Sequence, residues 1–180
     1  LSIAGEALTL DSQLVQGFKA LLSDESLEPA MVALILTLPS QAYLSELANP
    51  IHPAAIKEAR QYLKALLANA LSGEFELLYN KHNIQGEYQA TAEDIAHRSL
   101  KNIALSYWVE TNSDQAHQAT FEQFQTANNM TDQFSALSIA VHSNNAKATD
   151  MLASFYEQWK AEPLVINKWL MLSASQESDD

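Results

Sequence analysis

Apolar side chains recur three and four residues apart along most of this chain, and that spacing admits helices and little else. Leu14, Phe18, Leu21 and Leu22 form a first stripe, and Met31, Leu34, Ile35 and Leu38 a second. Ile56, Ala59, Leu63, Leu66 and Ala70 form a third. The supply of residues agrees with the spacing. Twenty-seven Ala and 25 Leu stand against five Val, which favours helix over strand. Four Gly and five Pro leave little material for the tight turns of a β-sandwich. The expected fold class is all-α.

Punctuation divides the stripes into elements. Residues 1–10 lack a helical period and read as an extended lead-in; 11–180 read as a helical repeat domain. Pro29 suits a first helical turn, and Pro39 stops the helix it opens. Ser40 caps a short helix through about Ala48. Pro53 opens a longer one, which is expected to run on past Gly73, kinked or weakened there, to Phe75, Leu78 and Tyr79. The polar stretch 81–90 reads as a loop. Thr91-Ala92-Glu93-Asp94 is a capping-box pattern, and the helix after it is expected to bury Ala96, Leu100, Ile103, Ala104, Tyr107 and Trp108. Ser113, Asn129 and Asn145 cap the next three helices, and Pro163 opens the last. Starts after Thr91 recur every ~16–22 residues, so helix pairs recur near the two-helix repeat length of solenoids. The expected architecture is an irregular stack of antiparallel helices, an α-solenoid of the HEAT or ARM kind; a compact helical bundle is the alternative. The opening on Leu1 and the polar tail 175–180 read as cut ends, making the domain an incomplete fragment of a larger one.

Charge and cysteine content exclude several classes. Ten basic against 22 acidic residues give a formal net charge of −12, a field that repels nucleic acid and anionic lipid, so neither is an expected partner. Without cysteine there is no disulfide framework and no thiolate metal site. No apolar run reaches the length of a membrane span, and no signal peptide precedes Leu1. The expected location is cytoplasmic.

A search for chemistry returns no constellation. Of His52, His82, His97, His117 and His142, no two are closer than 15 residues, so the paired histidines of a helical zinc hydrolase are missing. Asp94 with His97 and Asp114 with His117 repeat an Asp-x-x-His step, as in di-iron bundles. Both steps open successive helices, however, and in antiparallel helices they stand about 27 Å apart. They read as helix-dipole partners beside boundary histidines. There is no G-x-S-x-G elbow and no grouped glycines for a phosphate loop. Lys57, Arg60 and Lys64 share a face that reads as solvated, with Glu58 nearby. The aromatics Tyr107, Trp108, Phe121, Phe124, Phe155, Trp159 and Trp169 follow the stripes and read as core. No catalytic, cofactor-binding or metal-binding residue is assigned in this chain.

Several strings go beyond patterning: Leu36-Thr37-Leu38-Pro39-Ser40, Asp94-Ile95-Ala96-His97-Arg98-Ser99-Leu100-Lys101-Asn102, Ala127-Asn128-Asn129-Met130-Thr131-Asp132 and Lys168-Trp169. Their order and spacing resemble the first part of the C-terminal domain of bacterial aminopeptidase N, from about Leu10 to Gln176. The Ala127 to Asp132 string is the most specific. The resemblance implies a zinc metalloaminopeptidase of the gluzincin type as parent, removing N-terminal residues from peptides. In that family the zinc, its Glu base and the G-A-M-E-N motif belong to an earlier catalytic domain. Those motifs are missing here, so the chain alone is expected to be inactive and to hold no cofactor. The partners implied are the parent's catalytic domain and, through the enclosed cavity, its peptide substrate. Arg98, Asn128, Asn129 and Thr37 to Ser40 read as helix-stopping, capping and bridging residues. A free-standing helical-repeat interaction module is the alternative reading.

Overall fold

The computed structural model describes residues 11–84, 86–143 and 145–175. The lead-in 1–10 and most of the tail lie outside them. The described residues form ten α-helices and no strand: α1 Ser12–Ser23, α2 Pro29–Leu36, α3 Gln41–Leu47, α4 Pro53–Ala70, α5 Ser72–His82, α6 Ala92–Trp108, α7 Asp114–Thr126, α8 Met130–Val141, α9 Ala148–Trp159 and α10 Pro163–Ala174. A 3₁₀ turn, Val109–Thr111, follows α6. The all-α expectation is borne out. Among the described residues no single helix is long and apolar enough to cross a membrane.

The ends of the helices follow from local chemistry. Asp11, Ser40, Thr91, Ser113 and Asn129 each accept a backbone N–H of the first turn of α1, α3, α6, α7 and α8, filling donors that a helix start leaves orphaned. Proline occupies the first turn of α2, α4 and α10, where its missing N–H costs nothing. Two boundaries depart from expectation. The long helix after Pro53 breaks at Leu71, not Gly73: Leu71 has φ −126° and ψ 29° and is 1 % exposed. Burial of that leucine at a non-helical joint separates α4 from α5. Asn145 does not cap α9, which starts after Lys147 without a side-chain cap. Its Oδ1 instead accepts Lys147 N–H at 3.0 Å, and its Nδ2 donates to His117 O at 3.3 Å.

The described residues form two compact units, 11–84 with 89–111, and 86–88 with 112–143 and 145–175. In the first, Leu36, Leu67, Leu71, Phe75, Leu100, Leu105 and Tyr107 are buried. Tyr107 stacks on Phe75 with ring centroids 4.6 Å apart, and its hydroxyl donates to the Leu36 carbonyl at 2.8 Å. Burial pushes the Tyr107 phenol up to about 12, so it stays a donor at any ordinary pH. The second unit centres on Phe124, Ala136, Leu137, Ala140, Met151, Leu152, Phe155 and Leu172. Trp159 Nε1 donates to Gln133 and Trp169 Nε1 to the Leu152 carbonyl, both at 3.0 Å. The aromatic stripe thus serves the core, as expected.

One stripe is inverted. Met31, Leu34 and Ile35 were the expected inward face of α2, yet all three are exposed, while Val32, Ala33 and Leu36 are buried. Every residue of Pro29–Leu36 is apolar, so spacing alone does not say which side turns inward.

Tyr107→Phe should lower stability by about 1–3 kcal/mol, because it strands a buried carbonyl while leaving the stacked ring in place. Urea unfolding of the two proteins checks this; equal midpoints would show that the hydroxyl contributes nothing.

Candidate functional site

Within the first unit lies a cavity of about 370 Å³. Leu21 and Leu22 of α1, Val32 of α2, Leu77 and Leu78 of α5 and Leu100 of α6 give it an apolar wall. Two histidines also line it. His82 ends α5 and His97 lies in the second turn of α6, and the packing of these two helices brings their Nδ1 atoms to 2.6 Å. One nitrogen must therefore carry hydrogen and the other a lone pair. Glu93 Oε1 lies 3.9 Å from His97 Nε2. His82 is 7 % exposed. Burial first, then the His97 ring and Lys81, push its imidazole down to about 4. It is neutral at pH 7.

The three carboxylates lining the cavity are already engaged. Glu25 pairs with Lys81 at 2.7 Å and Glu74 with Lys19 at 3.0 Å. Asp24 accepts the Ser26 N–H at 2.9 Å and its hydroxyl at 2.6 Å. These contacts hold all three below the usual carboxylate range, through the Lys81 hydrogen bond for Glu25, the Lys19 bond for Glu74 and the Ser26 hydroxyl for Asp24. The site can share one proton between two rings. It offers no raised carboxyl to act as a general acid.

The second unit holds a polar cavity of about 360 Å³, lined by Asn112, Asp114, His117, Gln118, Asn145, Ala146 and Lys147. His117 Nε2 lies 2.9 Å from Asn112 Oδ1, and its Nδ1 is buried without a hydrogen-bond partner. Asn112 takes φ 53°, a left-handed conformation that asparagine tolerates. Lys147 Nζ sits 3.8 Å above the Phe121 ring and 3.1 Å from Gln118 Oε1.

The Asp-x-x-His steps bring no carboxylate to a histidine. Asp94 contacts the Thr91 hydroxyl, and Asp114 opens α7. His97 finds His82 instead, a partner that no local motif announces. Among the described residues no group of three or more His, Asp or Glu is placed to hold a metal ion. The basic face of α4 is not simply solvated. Arg60 Nε donates to the Pro39 carbonyl at 2.6 Å, and Lys64 Nζ reaches Glu110 at 2.7 Å.

The strings singled out in the sequence do structural work. Arg98 donates to the Gln89 carbonyl at 3.0 Å, and Asn128 to the Gly86 carbonyl at 2.8 Å. Asn129 accepts Asp132 N–H at 2.9 Å and donates to its carboxylate at 3.1 Å, a closed cap at the start of α8.

A family model described as a domain of unknown function (DUF3458_C) with ARM repeats matches residues 1–180. Aminopeptidase N of Escherichia coli is 38 % identical over 171 residues, 95 % of this chain and 20 % of that protein. Aminopeptidase N of Haemophilus influenzae is 32 % identical over 176 residues, 98 % and 20 % respectively. A crystal structure of Legionella pneumophila aminopeptidase A in complex with aspartic acid matches with a TM-score of 0.84 at 30 % identity, covering 98 % of this chain and 22 % of that one. The resemblance read from the sequence is borne out. The chain spans about one fifth of the length of these relatives.

The histidine pair should make stability depend on pH. A folded-state value near 4 against 6.5 unfolded means the unfolded chain binds the extra proton first. The stabilisation is complete above pH 6.5 and is lost as pH falls toward 4, by roughly 3 kcal/mol at most. His82→Leu should flatten this slope relative to the unaltered chain in urea unfolding at pH 7.5, 5.5 and 4.5; parallel slopes would show that His82 does not titrate as its burial requires.

Proposed function

This chain belongs to the DUF3458_C family of ARM repeats, and from that membership we propose that it is a non-catalytic helical segment in the C-terminal domain of an aminopeptidase N-like enzyme. The observation that carries the reading is 38 % identity to Escherichia coli aminopeptidase N across 95 % of the chain, in a chain whose recognisable strings form helix caps and inter-element hydrogen bonds. In this reading the parent is a cytoplasmic zinc enzyme that removes N-terminal residues from peptides. In this reading the metal and its chemistry belong to the parent's catalytic domain, outside this chain. What this chain supplies is shape, helices that form part of the wall around the parent's active-site cavity and govern peptide access.

The purified 180-residue chain is expected to leave alanyl p-nitroanilide intact and to carry no stoichiometric zinc by elemental analysis. Turnover by the pure chain would end the non-catalytic reading. The gene should encode H-E-x-x-H upstream of Leu1; a reading frame without it would remove the aminopeptidase itself from the proposal. In the parent, deleting this segment should alter kcat/KM for long peptides more than for a single amino-acid amide.

A further inference from the structure

We infer that the outer face of the α2–α3 corner is a docking surface on which the rest of the parent polypeptide packs. The inference rests on the reading that this chain is one segment of a longer protein. Between Pro29 and Ile51 only Glu46 is charged, in a chain that is 18 % charged. Met31, Leu34, Ile35, Tyr43, Leu47 and Ile51 are each between 45 and 69 % exposed, and α3 buries none of its residues. Single exposed apolar residues are ordinary on a protein surface; six large ones in a stretch whose only charged residue is Glu46 mark a contact.

The corner is built, not frayed. The hydroxyl of Tyr107 holds the last carbonyl of α2, Arg60 holds the Pro39 carbonyl, and Ser40 caps α3 with a 3.1 Å bond to Tyr43 N–H. A surface fixed from the inside loses little entropy when it is covered.

Three occupants compete for it. A membrane is disfavoured: α2 and α3 have eight and seven residues and meet at 59°, and a net charge of −12 repels anionic lipid. A second copy would have to be captured from solution. The remaining four-fifths of a relative's length is tethered, and tethering gives effective concentrations around millimolar. At that concentration a modest apolar patch stays covered, whereas free copies at micromolar concentration would dissociate. The tethered polypeptide is therefore the occupant.

Hydroxyl-radical footprinting of the full-length parent and of the 180-residue chain tests this. Met31, Leu34, Tyr43 and Leu47 should react about fivefold or more slowly in the parent, as for side chains entering a dry interface core, and the protection should not change with protein concentration. Equal reactivity in both would overturn the inference. So would protection that grows with concentration alongside a dimer in light scattering, or that requires phosphatidylglycerol vesicles. The double variant L34S/L47S should lower the parent's Tm and leave the isolated chain's unchanged, since neither side chain is buried in it. An unchanged parent Tm would count against docking. A gene encoding no further domain would instead remove the reading on which the inference rests.

Discussion

The first unit is organised around a carbonyl that nothing else can satisfy. Leu36 ends α2, so its C=O has no partner within the helix, and the residue is 0 % exposed, so water cannot serve. Tyr107 supplies the donor at 2.8 Å from α6 and stacks its ring on Phe75 of α5. One side chain thus fixes three helices. Phenylalanine would pack there equally well and leave the carbonyl stranded, which is why the position calls for a phenol. The neighbouring Pro39 carbonyl, just beyond the same helix end, takes Arg60 from α4. These two bonds hold the turn between α2 and α3 from within.

Helix periodicity and punctuation were legible because they are local. The caps at Ser40, Thr91, Ser113 and Asn129 and the openings at Pro29, Pro53 and Pro163 follow from groups within three residues of each boundary. Failures came where the deciding contact is distant. Pro29–Leu36 is apolar on every side, so its orientation depends on distant contacts, among them the bond from Tyr107, 71 residues on. The joint at Leu71 contains no breaking residue at the break itself, and both halves keep their apolar period. Asn145 looked like a cap, but its side chain is divided between Lys147 and the His117 carbonyl. His82 and His97 stand 15 residues apart, a spacing that excludes a helical zinc motif and announces no contact. Their meeting at 2.6 Å depends on the packing of α5 against α6 across a loop, and no spacing rule spans such a loop.

The basic face of α4 shows how a motif-like pattern becomes structure. Three cations at helical spacing suggest an anion site, yet Arg60 takes a backbone carbonyl and Lys64 a glutamate, with its ammonium also 5.8 Å from the Tyr107 ring. The carboxylates along the histidine cavity are committed in the same way. Catalysis needs a group whose proton affinity is tuned toward the working pH and left available to a substrate. Here the perturbed groups move away from that range: His82 falls, Tyr107 rises, and the cavity's acids stay ionised.

That commitment of polar groups inward has a consequence at the surface. Each hydrogen-bonding side chain spent on holding a helix end is one not spent on keeping the exterior wet. The α2–α3 corner is one such place. Its carbonyls are bound from within by Tyr107 and Arg60, and its exterior is left to Met31, Leu34, Ile35, Tyr43, Leu47 and Ile51. An autonomous domain would gain solubility from charge at those positions, with no loss to its core, because none of these side chains is buried. The docking proposed for this corner would account for their apolar character.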